Sequence, residues 1–292
     1  WLSSYDGDQI PTDEMKSWVD QTVDRIADIP GGDVLEIGCG VGLLLFRLLP
    51  HVDSYVGADF SQKALDIIGS RIDETDRSKV DLVCTEAISF SQYQGRKFDK
   101  IILNSVVQYF PSSEYLLEVI NKAIEHLKPG GSLFIGDVRN FNLLNDFATS
   151  IELYRSKGVG DLEAVRKRID ASVDNESELV IAPEFFHLLG KKLSRSCIVE
   201  AIPKFDRTMN RYDNELFRYR YDLVLTTDNE NDFENNLVTS DWPTEINHTD
   251  VLIEVLKSLK GQAALITNVP NARLENSDRY RDILAGIEDI NA

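Results

Sequence analysis

Cysteine, histidine and methionine are scarce in this chain, with three, four and two among 292 residues. Cys39, Cys84 and Cys197 are odd in number and far apart, and two of them lie in apolar runs. That pattern excludes a disulfide framework and suits buried, reduced thiols of a cytoplasmic protein. His51, His126, His187 and His248 show no ligand spacing, so no metal site is expected. No apolar run approaches the ~20 residues that span a bilayer, and no signal peptide opens the sequence, so a membrane partner is not expected. Positive charge is also short: 31 Lys and Arg against 49 Asp and Glu give a net charge of −18. A field of that sign repels phosphate backbones and argues against nucleic acid as a substrate. The chain begins at Trp1, the beginning expected of a domain cut from something longer.

What the chain does have is an alternation of short buried strands with amphipathic helices. Residues 12–28 (TDEMKSWVDQTVDRIAD) carry apolar residues at helical spacing with acids early. After a Pro-Gly-Gly turn come strand "DVLEIG", helix "GLLLFRLL", strand "SYVGAD", and helix "SQKALDIIGSRI" with Ser61 as its cap. Strands "VDLVCTE" and "FDKIILNSV", helix "SEYLLEVINKAIEHLKPGG" and strand "SLFIGDV" follow. Such alternation implies parallel βαβ units with right-handed crossovers, an α/β fold. Five segments are expected: an N-terminal lid and helix (1–30), a cofactor-binding core (31–140), a helical cap (141–192), an antiparallel closing strand pair (193–227), and an acidic linker with a C-terminal helix–strand–helix extension (228–292).

The loop after the first strand carries Gly38, Gly40 and Gly42. The dinucleotide fingerprint G-x-G-x-x-G would place its third glycine at 43, where Leu43 stands. Glycine spacing alone leaves a dinucleotide, another ligand or a bare turn open. Asp59, nineteen residues after Gly40, suits a carboxylate accepting from both hydroxyls of a ribose. Glu36 is an acid in a buried strand, costly unless paired, and a ligand's ammonium is one candidate partner. A pyrophosphate at the same helix N-terminus would be repelled by Glu36. S-adenosylmethionine has no phosphate and carries an ammonium and a sulfonium, so the electrostatics favour it.

With "LEIGCGVG", "GADFS", "KFDKIILNSVVQYFP" and "HLKPGGSLFIGDVRN", the chain resembles class I S-adenosylmethionine-dependent methyltransferases. With "ELVIAPEFFHLL", "NELFRYRYDLVL" and "NVPNARL" added, it resembles the methyltransferase domains embedded in polyketide synthases and non-ribosomal peptide synthetases, from Trp1 to about Leu274. The resemblance implies a Rossmann-like, seven-stranded, mostly parallel sheet and S-adenosylmethionine as cofactor. It implies that Gly38, Gly40 and Gly42 cradle the methionine end, with Glu36 close by. Asp59 and Phe60 would lie at the ribose, Glu86, Ala87 and Ile88 would line the adenine, and Asn104 and Ser105 would face the sulfonium. Val106, Gln108 and Tyr109 would lead to the substrate side, with Tyr5, Trp1 and Asn140 around the acceptor. Its partners would be neighbouring synthase domains and a phosphopantetheine-bearing carrier protein. A basic patch of Lys191, Lys192, Arg195, Arg207 and Arg211 is the expected docking surface on an otherwise acidic chain.

Methyl transfer from a sulfonium is an in-line displacement, so alignment and exclusion of water carry most of the catalysis. Candidate catalytic residues are Asp137 and Arg139 after the fifth strand, and Asp213 and Glu215, around Asn214, before the last. Relatives that methylate amines or β-hydroxyls commonly read His-Asn-Glu-Leu where this chain has Asp213-Asn214-Glu215-Leu216, and Phe-His where it has Phe147-Ala148. His187 is expected to be packed on a cap helix. Without those histidines, a carboxylate of pKa near 4 is a weak base for an aliphatic alcohol. The expectation is O-methylation of a carrier-tethered acceptor with an acidic hydroxyl or enol. N-methylation of an aminoacyl group is the close alternative, C-methylation a remoter one, and a non-catalytic domain the reading from another class.

Overall fold

The structure, a computed structural model, describes residues 1–156, 162–190, 193–204, 212, 214–227, 238–242, 249–258, 264–267 and 269. The chain clusters into two compact units, one built on Trp1–Asn229 and one within Glu230–Asp289. In the first, α1 (Thr12–Asp28), β1 (Asp33–Ile37), α2 (Leu45–Leu48), β2 (Ser54–Asp59), α3 (Gln62–Arg71) and β3 (Val80–Cys84) alternate. They continue as β4 (Phe98–Asn104), α4 (Ser113–Glu125) and β5 (Leu127–Arg139). Three helices follow, α5 (Leu144–Ser156), α6 (Leu162–Asp174) and α7 (Pro183–Gly190), before β6 (Cys197–Pro203), α8 (Glu215–Arg218) and β7 (Arg220–Thr227). The sheet order is β3-β2-β1-β4-β5-β7-β6, and β7 alone runs against its neighbours. This is the seven-stranded, mostly parallel Rossmann-like sheet that the resemblance implies.

Alternation along the strands explains why the sheet is covered on both faces. Leu35, Ile101, Leu103, Leu133 and Ile135 join the core beneath α4 and α7, while Val34, Ile102 and Phe134 join the core beneath α1, α2 and α3. Helix α4 buries Leu116, Val119, Ile120, Ala123 and Ile124, an i, i+3, i+4, i+7, i+8 stripe. Each large apolar side chain buried this way contributes about 1.5–3 kcal/mol. Ser61 and Ser112 accept from backbone N–H groups in the first turns of α3 and α4, fixing where those helices begin.

Two local departures have simple causes. Helix α2 is only four residues, because Pro50 lacks an N–H and diverts the chain into a 3-10 turn over Leu49–His51. Strand β5 starts at Leu127 rather than after Pro-Gly-Gly. Its pairing with β4 jumps from Phe98–Leu127 to Lys100–Ser132, so residues 128–131 bulge from the ladder, with Gly130 at φ 74°. In the second unit, β8 (Val238–Asp241) and β9 (Ala264–Thr267) pair in parallel around α9 (Thr249–Ser258). The expected helix–strand–helix extension is therefore preceded by a strand whose sequence, VTSD, offers almost no apolar period. The acidic linker (228–236) and the last expected helix (277–287) lie outside the described residues. No helix among the described residues is long and apolar enough to cross a membrane.

Candidate active site

Strand order reverses between β1 and β4, so the loops leaving their C-terminal ends diverge and open a crevice between them. The glycine loop forms one lip. The N–H groups of Gly38 and Cys39 both donate to the carbonyl of Ala58, at 2.7 and 3.0 Å, which ties the loop to the end of β2. Gly38 has φ 78°, and a Cβ there would lie 2.4 Å from Cγ2 of Val106 on the opposite lip. Gly40 has φ 53°, and a Cβ there would meet no protein atom within 4 Å. The backbone at Gly40 thus faces open space, which is the geometry a close-lying ligand requires.

Beneath the loop lies a pocket of ≈ 370 Å³. Gly38, Asp59, Phe60, Glu86, Ala87 and Ser105 line it, as do Val106, Tyr109 and Tyr115. Asp59 accepts from the N–H of Gly40 through Oδ2 and from that of Ser61 through Oδ1, each at 2.8 Å. Each carboxylate oxygen keeps a second lone pair. Phe60, 79% exposed, stands at the rim. No lysine or arginine lines the pocket, while Asp59 and Glu86 do, so a pyrophosphate has no counter-charge there.

Glu36 does not line this pocket. It shares the face of Val34, turned into the core, where the hydroxyl of Tyr55 donates to Oε2 at 2.6 Å. The internal partner was legible in principle, since Tyr55 on β2 lies two residues from Gly57, which pairs with Glu36. Burial pushes the Glu36 carboxyl up to about 7, the nearby Asp59 charge adds to the rise, and the Tyr55 hydrogen bond opposes it. The same burial, with the Glu36 and Asp59 charges, holds Cys39 as a neutral thiol. Cys39 is buried, Cys84 exposed and Cys197 half-buried, so the expectation of buried thiols fails for Cys84.

The opposite lip is built from the ends of β4 and β5. Among the described residues, Ser105 and Asp137 are the non-glycine residues with positive φ, at 56° and 64°. The Ser105 hydroxyl donates to Asp137 Oδ2 at 2.8 Å. Asp137 is fully buried and also accepts from Trp18 Nε1 at 3.2 Å and Arg220 Nη1 at 2.6 Å. It was expected as a catalytic group; it lines neither pocket of the site. Asn104 donates to the Ser105 hydroxyl at 3.3 Å and leaves its buried Oδ1 unpaired.

A second pocket, ≈ 500 Å³, adjoins the first, and Tyr109 lines both. Arg139 stands in its wall, its guanidinium forked between Glu178 at 2.8 Å and Glu176 at 2.7 Å and lying over the Phe147 ring. Burial alone would lower the Arg139 pKa, but the two carboxylates outweigh it and raise it. In return Arg139 holds Glu176 below its usual range against the effect of burial. Glu215, capped into α8 by Asn214, lines the same pocket and accepts from Ser4 N–H at 2.9 Å and Ser4 Oγ at 2.8 Å. Trp1, Ala148, Arg155 and Arg220 also line this pocket.

Several expected residues fall elsewhere. Tyr5 packs its ring on Phe147 and Tyr154, shares a hydrogen bond of 2.9 Å with Ser150, and lines a separate acidic cavity. Burial lifts its pKa far above the ordinary tyrosine value. Gln108 is buried beneath the lip with Oε1 unpaired, Ile88 packs into the core, and Asn140 caps the turn at Asn142. His187 is exposed on α7 rather than packed, its ring bonded to the Pro183 carbonyl. Arg195 bonds the carbonyls of Ile124 and Leu127, at the end of β5 opposite Arg139. Asp213, Lys191, Lys192, Arg207, Arg211 and His248 lie outside the described residues. The sequence reading missed Glu176, Glu178 and Arg220, because only the folded chain brings them to Arg139 and Asp137.

Residues 35–133 match the family model described as a methyltransferase domain. With the sheet order above, the chain carries a methyltransferase domain of the class I, S-adenosylmethionine-dependent fold. Chondramide synthase of Chondromyces crocatus is 39% identical over 280 residues, 94% of this chain and 7% of that protein. A probable non-canonical nonribosomal peptide synthetase of Salinispora arenicola (strain CNS-205) is 37% identical over 227 residues, 78% of this chain and 3% of that protein. The chain thus spans less than a tenth of these multidomain relatives. Magnesium protoporphyrin IX methyltransferase from Synechocystis PCC 6803, with bound SAH, shares the fold at TM-score 0.50 and 16% identity, over 77% of this chain and 90% of that one.

The methyl donor of such a domain is S-adenosylmethionine, and the residues present fit it. The open space at Gly40, the spare lone pairs of Asp59 and the apolar slot between Phe60, Ala87 and Tyr115 suit an amino-acid end, a ribose and an adenine.

Proposed function

We propose that the domain methylates the α-amino nitrogen of an aminoacyl or peptidyl group held on a phosphopantetheine-bearing carrier protein, within a nonribosomal peptide assembly line. The observation that carries this reading is Glu215. Its carboxylate lines the acceptor pocket and meets only the neutral donors of Ser4 among the described residues. The wall carries three carboxylates and three guanidiniums, Arg139, Arg155 and Arg220. Arg139 is held by Glu176 and Glu178 and Arg220 by the buried Asp137, so Glu215 is the wall carboxylate with which an entering ammonium can pair. The other carboxylates in the wall, Glu176 and Glu178, are already matched by Arg139.

The histidines that amine-methylating relatives commonly carry are absent here, and this acceptor does not require them. An α-amino group has a pKa near 8, so a useful fraction is neutral at cytoplasmic pH and no strong base is required. An acidic hydroxyl also needs no strong base, but it brings a negative charge towards Glu215. When bound, S-adenosylmethionine supplies an activated methyl group. Held at the glycine loop and Asp59, the donor would pass its methyl group to the neutral nitrogen, and the methylated ammonium would return its proton to water. The protein's part is alignment and desolvation: Tyr109 sets the boundary between the two pockets, and Trp1 with the Arg139 fork walls off the acceptor.

The test is intact-protein mass spectrometry of carriers loaded with aminoacyl, β-ketoacyl or β-hydroxyacyl groups after incubation with the domain and S-adenosylmethionine. A one-methyl gain on the aminoacyl carrier, located on nitrogen by fragmentation, is expected. A methyl on oxygen or carbon, or a gain only on the β-ketoacyl carrier, overturns the reading.

A further inference from the structure

Asp137 is a buried, charged residue in a backbone conformation that side chains avoid, and its neighbour in the same condition, Ser105, is hydrogen-bonded to it. Outliers of this kind persist only where surrounding structure over-determines them. A buried ion pair is weak evidence for stability, since an apolar replacement of the same shape is often as stable. The arrangement therefore calls for a reason beyond folding, and the partners of Asp137 supply one. Ser105 lines the cofactor pocket, Arg220 lines the acceptor pocket, and both donate to the same oxygen, Oδ2, at 2.8 and 2.6 Å. Trp18 donates to Oδ1, and the Trp18 ring packs tilted against Trp1 in the acceptor wall, centroids 5.7 Å apart. Arg220 lies over that same Trp1 ring, 5.8 Å from its centre.

We infer that Asp137 is a positioning residue shared by the two halves of the site. Through one carboxylate oxygen it fixes Ser105 against the methyl donor and Arg220 against the acceptor, so the two ligands are held in one register. Asp137 touches neither ligand. Its backbone N–H donates to Asp222 Oδ1 at 2.8 Å, and Asp222 in turn meets Arg25 and Lys204, which anchors the carboxylate to the sheet.

The test uses Asp137→Asn, which keeps the size and the tolerance for a left-handed backbone and removes the charge. S-adenosylhomocysteine affinity is read by calorimetry, and the acceptor KM with an aminoacyl N-acetylcysteamine thioester, an arm that rests on the proposed N-methylation. Asp137→Asn is expected to weaken both constants about tenfold, the scale of one lost charge-assisted hydrogen bond. Ser105→Ala is expected to weaken S-adenosylhomocysteine alone. Arg220→Met, which strips Asp137 of its cation, is expected to weaken both ligands, and Arg220→Lys to restore them in part. This second pair of variants decides the matter if Asp137→Asn does not fold.

A folded Asp137→Asn variant with a lowered melting temperature but both constants at wild-type values makes Asp137 merely structural and overturns the inference. Unchanged S-adenosylhomocysteine affinity in Arg220→Met overturns it too. If no thioester is turned over by the wild-type domain, the acceptor reading has failed, and the calorimetric arm alone still decides for or against Asp137.

Discussion

The pocket under the glycine loop is built from backbone and near neighbours, whereas the pocket beyond Tyr109 is built from side chains brought together across the whole first unit. Gly38, Gly40, Asp59 and Ser61 fall within 24 residues, and their contacts are loop N–H groups meeting one carbonyl and one carboxylate. The acceptor pocket joins Trp1, Arg139, Glu176, Glu215 and Arg220. Its acids are treated differently as well. Glu36, behind the cofactor pocket, is pushed up by burial, whereas Glu176 is held down by a guanidinium. A site for a fixed cofactor can be a local device. The second pocket is assembled from side chains far apart in the sequence.

The largest effect that would break this contrast is at Gly38. Gly38→Ala introduces a Cβ 2.4 Å from Val106 in a conformation with positive φ. Together these are expected to cost about 2–4 kcal/mol and to reduce S-adenosylhomocysteine affinity at least a hundredfold by calorimetry. Near-normal affinity would show that the loop is not the cradle. Next is Glu36. An acid whose pKa rises on folding keeps its proton in the folded chain while the unfolded chain has released it, so stability falls as pH rises. The window runs from about 4.5, the ordinary value, to about 7, and the loss is about 3 kcal/mol. Denaturant unfolding at pH 5 and pH 8 should show this fall in the wild type and its disappearance in Glu36→Gln.

On the acceptor side, Arg139→Met leaves Glu176 and Glu178 unmatched. It is expected to lower kcat/KM for the acceptor by about 10–30-fold while S-adenosylhomocysteine affinity stays within about twofold. An equal loss on both sides would erase the division between the pockets. The smallest effect is at His187, whose exposed ring bonds only its own helix among the described residues. His187→Ala should change stability by less than about 0.5 kcal/mol and leave the rate alone, and a large loss of rate would restore a histidine base.

The same division explains what was legible in the sequence. The strands, the glycine loop and Asp59 announce themselves through short-range spacing, and the sheet order follows from alternation and right-handed crossovers. Pro50 shortening α2 and the bulge at 128–131 were readable only as breakers, not as geometry. Ser105, expected at the sulfonium, lines the pocket under the loop, and its link to Asp137 depends on adjacent strand ends meeting 32 residues apart. Tyr55 was overlooked because a buried tyrosine in a strand looks like packing until its hydroxyl is seen on Glu36. The acceptor wall was the least legible part, since Glu176 and Glu178 precede α7 in an irregular stretch with no period.

The most direct test is a crystal structure of the domain with S-adenosylhomocysteine and an aminoacyl pantetheine amide. The account predicts S-adenosylhomocysteine in the pocket lined by Gly38, Asp59, Ala87 and Ser105, and the amine beyond Tyr109, on the side of Glu215 and facing the sulfur. An amine lodged elsewhere, or S-adenosylhomocysteine outside the glycine-loop pocket, would contradict it.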